Sequence, residues 1–305
     1  MIYQRTIASK TQIVGRGIHS GKKVTLKLYP ADADTGIVFI RSDLKDGEAL
    51  VANAKNVGAT ANNTTLGSGE NCVHTIEHLV SALYGLGVDN IRIEIDGPEV
   101  PIMDGSSVSF IFLLKEIGIR NLNKSKKFLI IKEPVYVEHE DKWAKIEPSD
   151  KLTIHSTIVF AHPAVKEQVK VFEFNCESYV NEISRARTFG FMKDVDYLKK
   201  QGLAKGASLE NAIGLDDFKV INPEGLRFKD EFVRHKILDT IGDMALLGHE
   251  LIGKISTYKS GHHLHNLLCR KILDNPNSYE ICGAQEMSEV SRQVYQLPSD
   301  ILVPV

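Results

Sequence analysis

The chain has 305 residues and is 43% hydrophobic, enough for one large core or two cores of ordinary size. Its 37 basic and 39 acidic side chains leave a formal net charge of -2, which excludes the basic excess of a general nucleic-acid binder but allows a local basic pocket. No run approaches the roughly 18 apolar residues of a membrane span, and MIYQRTIASKTQIVG has no signal-peptide core, so the expected address is the cytoplasm.

Val24, Leu26 and Leu28 alternate with polar residues in VTLKLYP, as on a half-buried strand ended by Pro30. Ile76, Leu79, Val80, Leu83 and Leu86 then share one helical face. Glu77, His78 and Ser81 lie beside that face, and Gly85 and Gly87 end the helix. IRIEID predicts a strand, PEVPIMDGSS a loop and SFIFLLKEIGI a second helix. The polar, basic NLNKSKK, Asn121 to Lys127, reads as a linker between two domains. FLIIKEPVYVEHEDKWAKIEP restarts a β-rich pattern with a turn near Glu138 to Asp141, and KLTIHSTIVF adds a strand. Ser178 to Ala186 is compatible with a helix, and Arg187 to Asp216, rich in glycine and small residues, reads as an insertion. Asp230 is the expected cap of a long helix, EFVRHKILDTIGDMALLG, closed near Gly248. ELIGKISTYKSGHHLHNLLCRKIL predicts a strand, a turn at Gly261 and a last helix, after which periodicity fades. Strands precede helices in each half, an α+β pattern. Cys72, Cys176, Cys269 and Cys282 form no C-x-x-C pair and are expected to be free thiols.

The chemistry concentrates in three places. His74, Glu77 and His78 spell H-x-x-E-H, the inverted zinc-protease pattern. His235 and Asp239 stand i, i+4 on the long helix, so an imidazole and a carboxylate lie one turn apart on one face, with Asp243 a further turn along. Alone, such a pair is an ordinary surface contact; beside a second His–Glu signal it suggests a shared metal. A catalytic zinc takes three protein ligands and keeps one position for water, a demand that His78, His235 and Asp239 meet, leaving Glu77 to take a proton from the water. The competing set is His74, His78 and a distant third residue, as in an inverzincin peptidase. Helical periodicity does not separate the two. KSGHHLHN supplies His262, expected at an accessible turn after Gly261 and suited to general-acid work, with Asp243 favouring its imidazolium. His263 and His265 read as surface or packing histidines.

The segments VHTIEHLVSALYGLGVDNI, PEVPIMDGS, ISRARTFGF, GLRFKDEFVRHKILDTIGD and YKSGHHLHN, in that order, resemble the bacterial UDP-3-O-acyl-N-acetylglucosamine deacetylases, zinc enzymes of lipid A synthesis. The resemblance runs from GRGIHSGKKVTL to about Leu273. It implies His78, His235 and Asp239 as ligands of one zinc or ferrous ion per chain, and no ligand role for His74. It implies Glu77 as general base, His262 as general acid supported by Asp243, and Thr188 as a donor to the oxyanion. Lys236, Lys259 and His19 would lie near the diphosphate, and Phe160 and Phe189 near the nucleotide or sugar. Val195, Ala204, Ala207 and Ser208 would wall a narrow passage for the acyl chain. The implied fold is two α+β domains packed helix layer to helix layer with the site between them, at 1–122 and 127–273. An insertion at about 188–215 and a tail at 274–305 complete the expected organisation. The expected partner is an acylated UDP-sugar, with no nucleic acid and no membrane-spanning segment, and the expected state is a monomer. Two rivals remain at this level: the zinc peptidase, and a UDP-sugar-binding protein without catalysis.

Overall fold

In the computed structural model, the described residues are 2–286 together with Tyr295 and Leu302. The chain opens with β1 (Tyr3–Ile7), β2 (Thr11–Arg16), β3 (Lys23–Pro30), β4 (Ile37–Arg41) and β5 (Leu50–Val51). Three short strands follow, β6 (Val57–Ala59), β7 (Thr65–Ser68) and β8 (Asn71–Val73), then α1 (Glu77–Gly85), β9 (Ile91–Ile95) and α2 (Val108–Ile117). The middle of the chain runs through β10 (Ile119–Ser125), β11 (Lys127–Ile131), β12 (Val135–His139), β13 (Lys142–Glu147), β14 (Thr153–Phe160) and β15 (Lys166–Glu173). A one-turn α3 (Cys176–Ser178) passes into a π-helical turn at Tyr179–Ile183, followed by β16 (Phe189–Phe191), α4 (Met192–Lys200) and β17 (Ile213–Leu215). The chain then forms α5 (Glu231–Met244), β18 (Glu250–Ile252), β19 (Lys254–Tyr258), α6 (His262–Leu273) and β20 (Tyr279–Gly283).

The α+β class is as expected, and it is built from a repeated plan. One five-stranded sheet has the order β2-β3-β9-β4-β5 and another β12-β13-β19-β14-β15. Both contain a single parallel pairing, β4 with β9 and β14 with β19. In each half the central strand enters after one helix and leaves into another. The residue patterns account for the local structure: Val24, Leu26 and Leu28 on β3, and Ile91, Ile93 and Ile95 on β9, all face the core. In the second half α5 packs on β14 and β15, and α6 on β12 and β13.

Where the halves meet, α1 lies against α5. Every residue of α1 is buried, as befits a helix covered on all sides. Ser81 Oγ donates to the Leu238 carbonyl at 2.9 Å and also meets the Tyr179 hydroxyl at 2.9 Å. A glycine is required at the crossing: a Cβ built on Gly242 would stand 2.2 Å from the carbonyl oxygen of Glu77. Gly242→Ala is therefore expected to push the helices apart, costing about 1–3 kcal/mol, with a lowered thermal midpoint in a denaturation scan.

Three expectations need correction. NLNKSKK is not a loose linker: it runs as β10, paired antiparallel with β1, into a buried Lys126 and β11. Lys126 Nζ meets Asp89 Oδ1 at 3.0 Å and Glu250 Oε1 at 2.9 Å, so its charge is compensated inside the fold. Asp230 flanks α5 but makes no side-chain cap; its carboxylate pairs with Arg234 Nε at 2.6 Å instead. The chain beyond Asn275 is not featureless, since β20 adds antiparallel to β11; positions 287–294, 296–301 and 303–305 lie outside the described residues. The insertion also contains a helix, α4, that its small residues did not announce. Of the stretch Ser178 to Ala186, the part through Ile183 is helical as expected, with π rather than α geometry over Tyr179–Ile183. None of the four cysteines is in a disulfide among the described residues.

Candidate active site

The crossing of α1 and α5 sets the site. Helix α1 begins only at Glu77, because Thr75 adopts a φ of +59° that breaks the helical path. His74 therefore never joins the helix, and its i, i+4 relation to His78 has no helical geometry behind it. Its Nδ1 donates to Thr65 Oγ1 at 2.8 Å, and its Nε2 lies 3.5 Å from Cys72 Sγ. His78, one residue into α1, instead faces α5.

There His78, His235 and Asp239, all buried, present ligand atoms within 4.8 Å of one another. Asp239 Oδ1 lies 3.3 Å from His235 Nε2 and 3.6 Å from His78 Nε2, and it is buried with no hydrogen-bond partner among the described residues. An orphaned carboxylate oxygen between two imidazole nitrogens fits a divalent cation. His235 donates from Nδ1 to the Ala186 carbonyl at 3.0 Å, which leaves Nε2 with its lone pair. Burial above all pushes the His235 pKa down to about 3, so the ring is neutral. The other Asp239 oxygen accepts from Lys236 Nζ at 2.9 Å. Burial opposes ionisation of Asp239, but nearby positive charge, with His235 neutral that of Lys236, outweighs it and holds the group well below the usual carboxylate range.

Glu77 stands next to this trio. Its Oε2 accepts from the Thr64 backbone N–H at 3.0 Å, and its Oε1 lies 3.8 Å from His262 Nε2. Burial raises its pKa, with His262 and His78 offsetting part of the effect. His262 opens α6 and is not at an accessible turn; its side chain is only 10% exposed. Its Nδ1 donates to Asp243 Oδ2 at 2.8 Å. Burial disfavours its charge, but Asp243 and Glu77 prevail and raise its pKa to about 9. The arrangement thus pairs a carboxylate with a protonated imidazole at one wall of the trio.

A cleft of about 320 Å³ opens over these groups. His19, Glu77, His78, Phe160, Thr188, Phe189, Val195, Ala204, Ala207, His235, Lys236, Asp239 and His262 all line it, so most expected site residues converge there. Ser208 does not: it is exposed and lies outside the cleft, where its backbone N–H bonds Asn211 Oδ1 in a local turn. Lys259 lines an adjoining cleft that shares Phe160, Lys236 and His262 with the first. Phe160 meets Phe189 edge to face with centroids 5.5 Å apart, and Lys236 Nζ lies 5.6 Å over the Phe189 ring.

Two contributors escaped the sequence reading. Thr64 ties the site together, its N–H on Glu77 and its hydroxyl donating to Asp243 Oδ1 at 2.5 Å. Nothing local marks that threonine, because both partners lie far along the chain. His265 is the other, buried beside Asp243.

An α+β scaffold with a metal-fitting trio, a buried carboxylate and a protonated histidine defines a metal-dependent hydrolase. The model of the family LpxC, UDP-3-O-acyl N-acetylglycosamine deacetylase, matches residues 4–274, and the chain belongs to this family. A relative from Geobacter sp. (strain M21) is 48% identical over 304 residues, covering 100% of this chain and 98% of its own length. One from Histophilus somni (strain 129Pt) is 47% identical over 306 residues, covering 99% of this chain and 100% of its own. Another, from Haemophilus influenzae (strain 86-028NP), is 48% identical over 306 residues with the same coverage. Each carries the name UDP-3-O-acyl-N-acetylglucosamine deacetylase. Among the described residues no helix is long and apolar enough to cross a membrane.

Proposed function

We propose that the chain hydrolyses the N-acetyl amide of UDP-3-O-(3-hydroxyacyl)-N-acetylglucosamine, giving acetate and UDP-3-O-(3-hydroxyacyl)-glucosamine, the committed step of lipid A biosynthesis. The observation that carries this reading is the meeting of His78, His235 and Asp239 with Glu77 and His262 at one cleft. In this reading one zinc ion, or ferrous iron in the cell, is the resident metal; two nitrogens and one oxygen suit either. Held there, the cation supplies a Lewis acid at the amide carbonyl and lowers the pKa of water towards 7.

Glu77 takes the proton of the attacking water as its oxygen adds to the carbonyl carbon. The Thr188 hydroxyl donates to the developing oxyanion, a role typically worth about 3 kcal/mol. His262 gives its Nε2 proton to the amide nitrogen, the C–N bond breaks, and acetate and the free amine leave. Asp243 holds His262 in the tautomer and charge this requires. Lys236, Lys259 and His19 take the diphosphate side, with Phe160 and Phe189 against the nucleotide or sugar. Val195, Ala204 and Ala207 pass the acyl chain; Ser208 is exposed and does not line this cleft. Binding energy from these remote groups orients the amide. The two halves act as domains at 1–122 and 127–273, the enzyme works as a cytoplasmic monomer, and α4 with its flanking loops forms the insertion at about 188–215.

Acetate release from this substrate, with purified chain before and after a chelator and with zinc restored, tests the reading. Release is expected to vanish with the chelator and return with the metal. Activity should climb with pH as Glu77 ionises and fall as His262 loses its proton near pH 9, giving a bell. A fully metallated chain that releases no acetate would refute the assignment.

A further inference from the structure

His265 is 1% exposed, sits one turn after the start of α6, and has no part in the steps above. Its Nδ1 lies 2.8 Å from Asp243 Oδ2, the same oxygen that receives His262 Nδ1 at 2.8 Å. An ionised carboxylate only accepts, so both imidazoles donate to it. The remaining Asp243 oxygen accepts from the Thr64 hydroxyl, and the far nitrogen of His265 meets Ser260 Oγ at 2.9 Å and Thr240 Oγ1 at 3.4 Å. Every polar atom of the His265 ring is thus held.

We propose that His265 is a positioning residue, which locks the Asp243 carboxylate against His262 and, by sharing the same oxygen, keeps His262 from binding its proton too tightly. The proposal rests on His262 being the proton donor of the reaction. Asp243 and Asp239 come from α5, Glu77 from α1 at 3.8 Å from His262 Nε2, and Lys236 is paired with Asp239. Thr64, Ser260, Thr240 and Cys269 also touch this cluster and add no charge. With the second donor gone, Asp243 would spend its full charge on His262. The imidazolium would then be a weaker acid, with Asp243 still held by Thr64 and His262.

Two polar isosteres separate this from a packing role. The amide nitrogen of Asn falls near the place of Nδ1, whereas that of Gln falls near Nε2. His265→Asn therefore keeps the bond to Asp243, and His265→Gln loses it while retaining the Ser260 contact. The experiment uses the zinc-loaded full chain, with nitrogen-15 NMR titration of His262 and pH profiles of acetate release. His265→Asn is expected to match the parent within about twofold in kcat. His265→Gln is expected to lose about tenfold in kcat at unchanged KM, with the His262 titration and the alkaline limb both moved up by about one pH unit. An unshifted His262 titration in His265→Gln, or equal losses in the two variants, would overturn the proposal. Because the NMR titration needs no turnover, a parent chain that releases no acetate would sink the deacetylase reading while leaving the shift of His262 to decide this one.

Discussion

His78→Ala is expected to lose zinc affinity by more than about a hundredfold, and the purified variant should carry little metal by elemental analysis. The trio offers three ligand atoms and no fourth protein group among the described residues joins it, so removing one leaves only His235 and Asp239. Asp239 Oδ1 would then sit buried beside one imidazole instead of two, its orphaned oxygen still without a hydrogen bond. The comparison that gives the experiment force is His74→Ala. His74 spends its ring on Thr65 and Cys72, so its loss should disturb β7 and β8 locally and leave the metal stoichiometric. Equal metal loss in both variants would restore the His74–His78 pair and the peptidase reading with it.

Glu77→Gln is expected to lower kcat by about 10²–10⁴-fold while metal content and thermal stability stay close to those of the parent. The amide preserves the side chain's volume and can still accept from Thr64 N–H at the place of Oε2, so the cleft is not reshaped. What disappears is the basic oxygen. The acid limb of the pH profile, set by the raised pKa of buried Glu77, should vanish with it, and the alkaline limb near pH 9, set by His262, should remain. His262→Ala should lower kcat by a similar factor and show the reverse, losing the alkaline limb. The two losses should not add in the double variant if, as proposed, base and acid serve successive halves of one hydrolysis. A metal-loaded Glu77→Gln chain with parental turnover would remove Glu77 from the chemistry.

Much of the fold was legible because its signals are local. The alternation in VTLKLYP and IRIEID places one apolar face on the sheet without reference to anything distant. The long α5 is readable for the same reason, and so is the stacking of His235, Asp239 and Asp243 along it. NLNKSKK misled because polar residues ordinarily mean solvent. Here β1 supplies the missing backbone partners, and Asp89 and Glu250 neutralise Lys126. His262 misled similarly: a residue after glycine looks accessible, but α1 and α5 close over it.

The amino-acid sequence by itself determined the elements, the chemical types available at each helix and, through its resemblance, the family. Only the tertiary structure decided which of those groups meet. His74 and His78 are equivalent on paper until the positive φ of Thr75 turns one of them away. Asp243 serves two histidines and Thr64 serves two carboxylates only because α1, α5 and α6 converge. Ser208 reads like its neighbours in the insertion until the chain path leaves it in solvent. The physical reason is one of range. Helical and strand periodicity act over a few neighbouring residues, whereas metal binding and proton transfer demand atoms within a few ångströms whatever their separation in sequence, and at this site that closeness depends on the packing of α1 against α5 at Gly242.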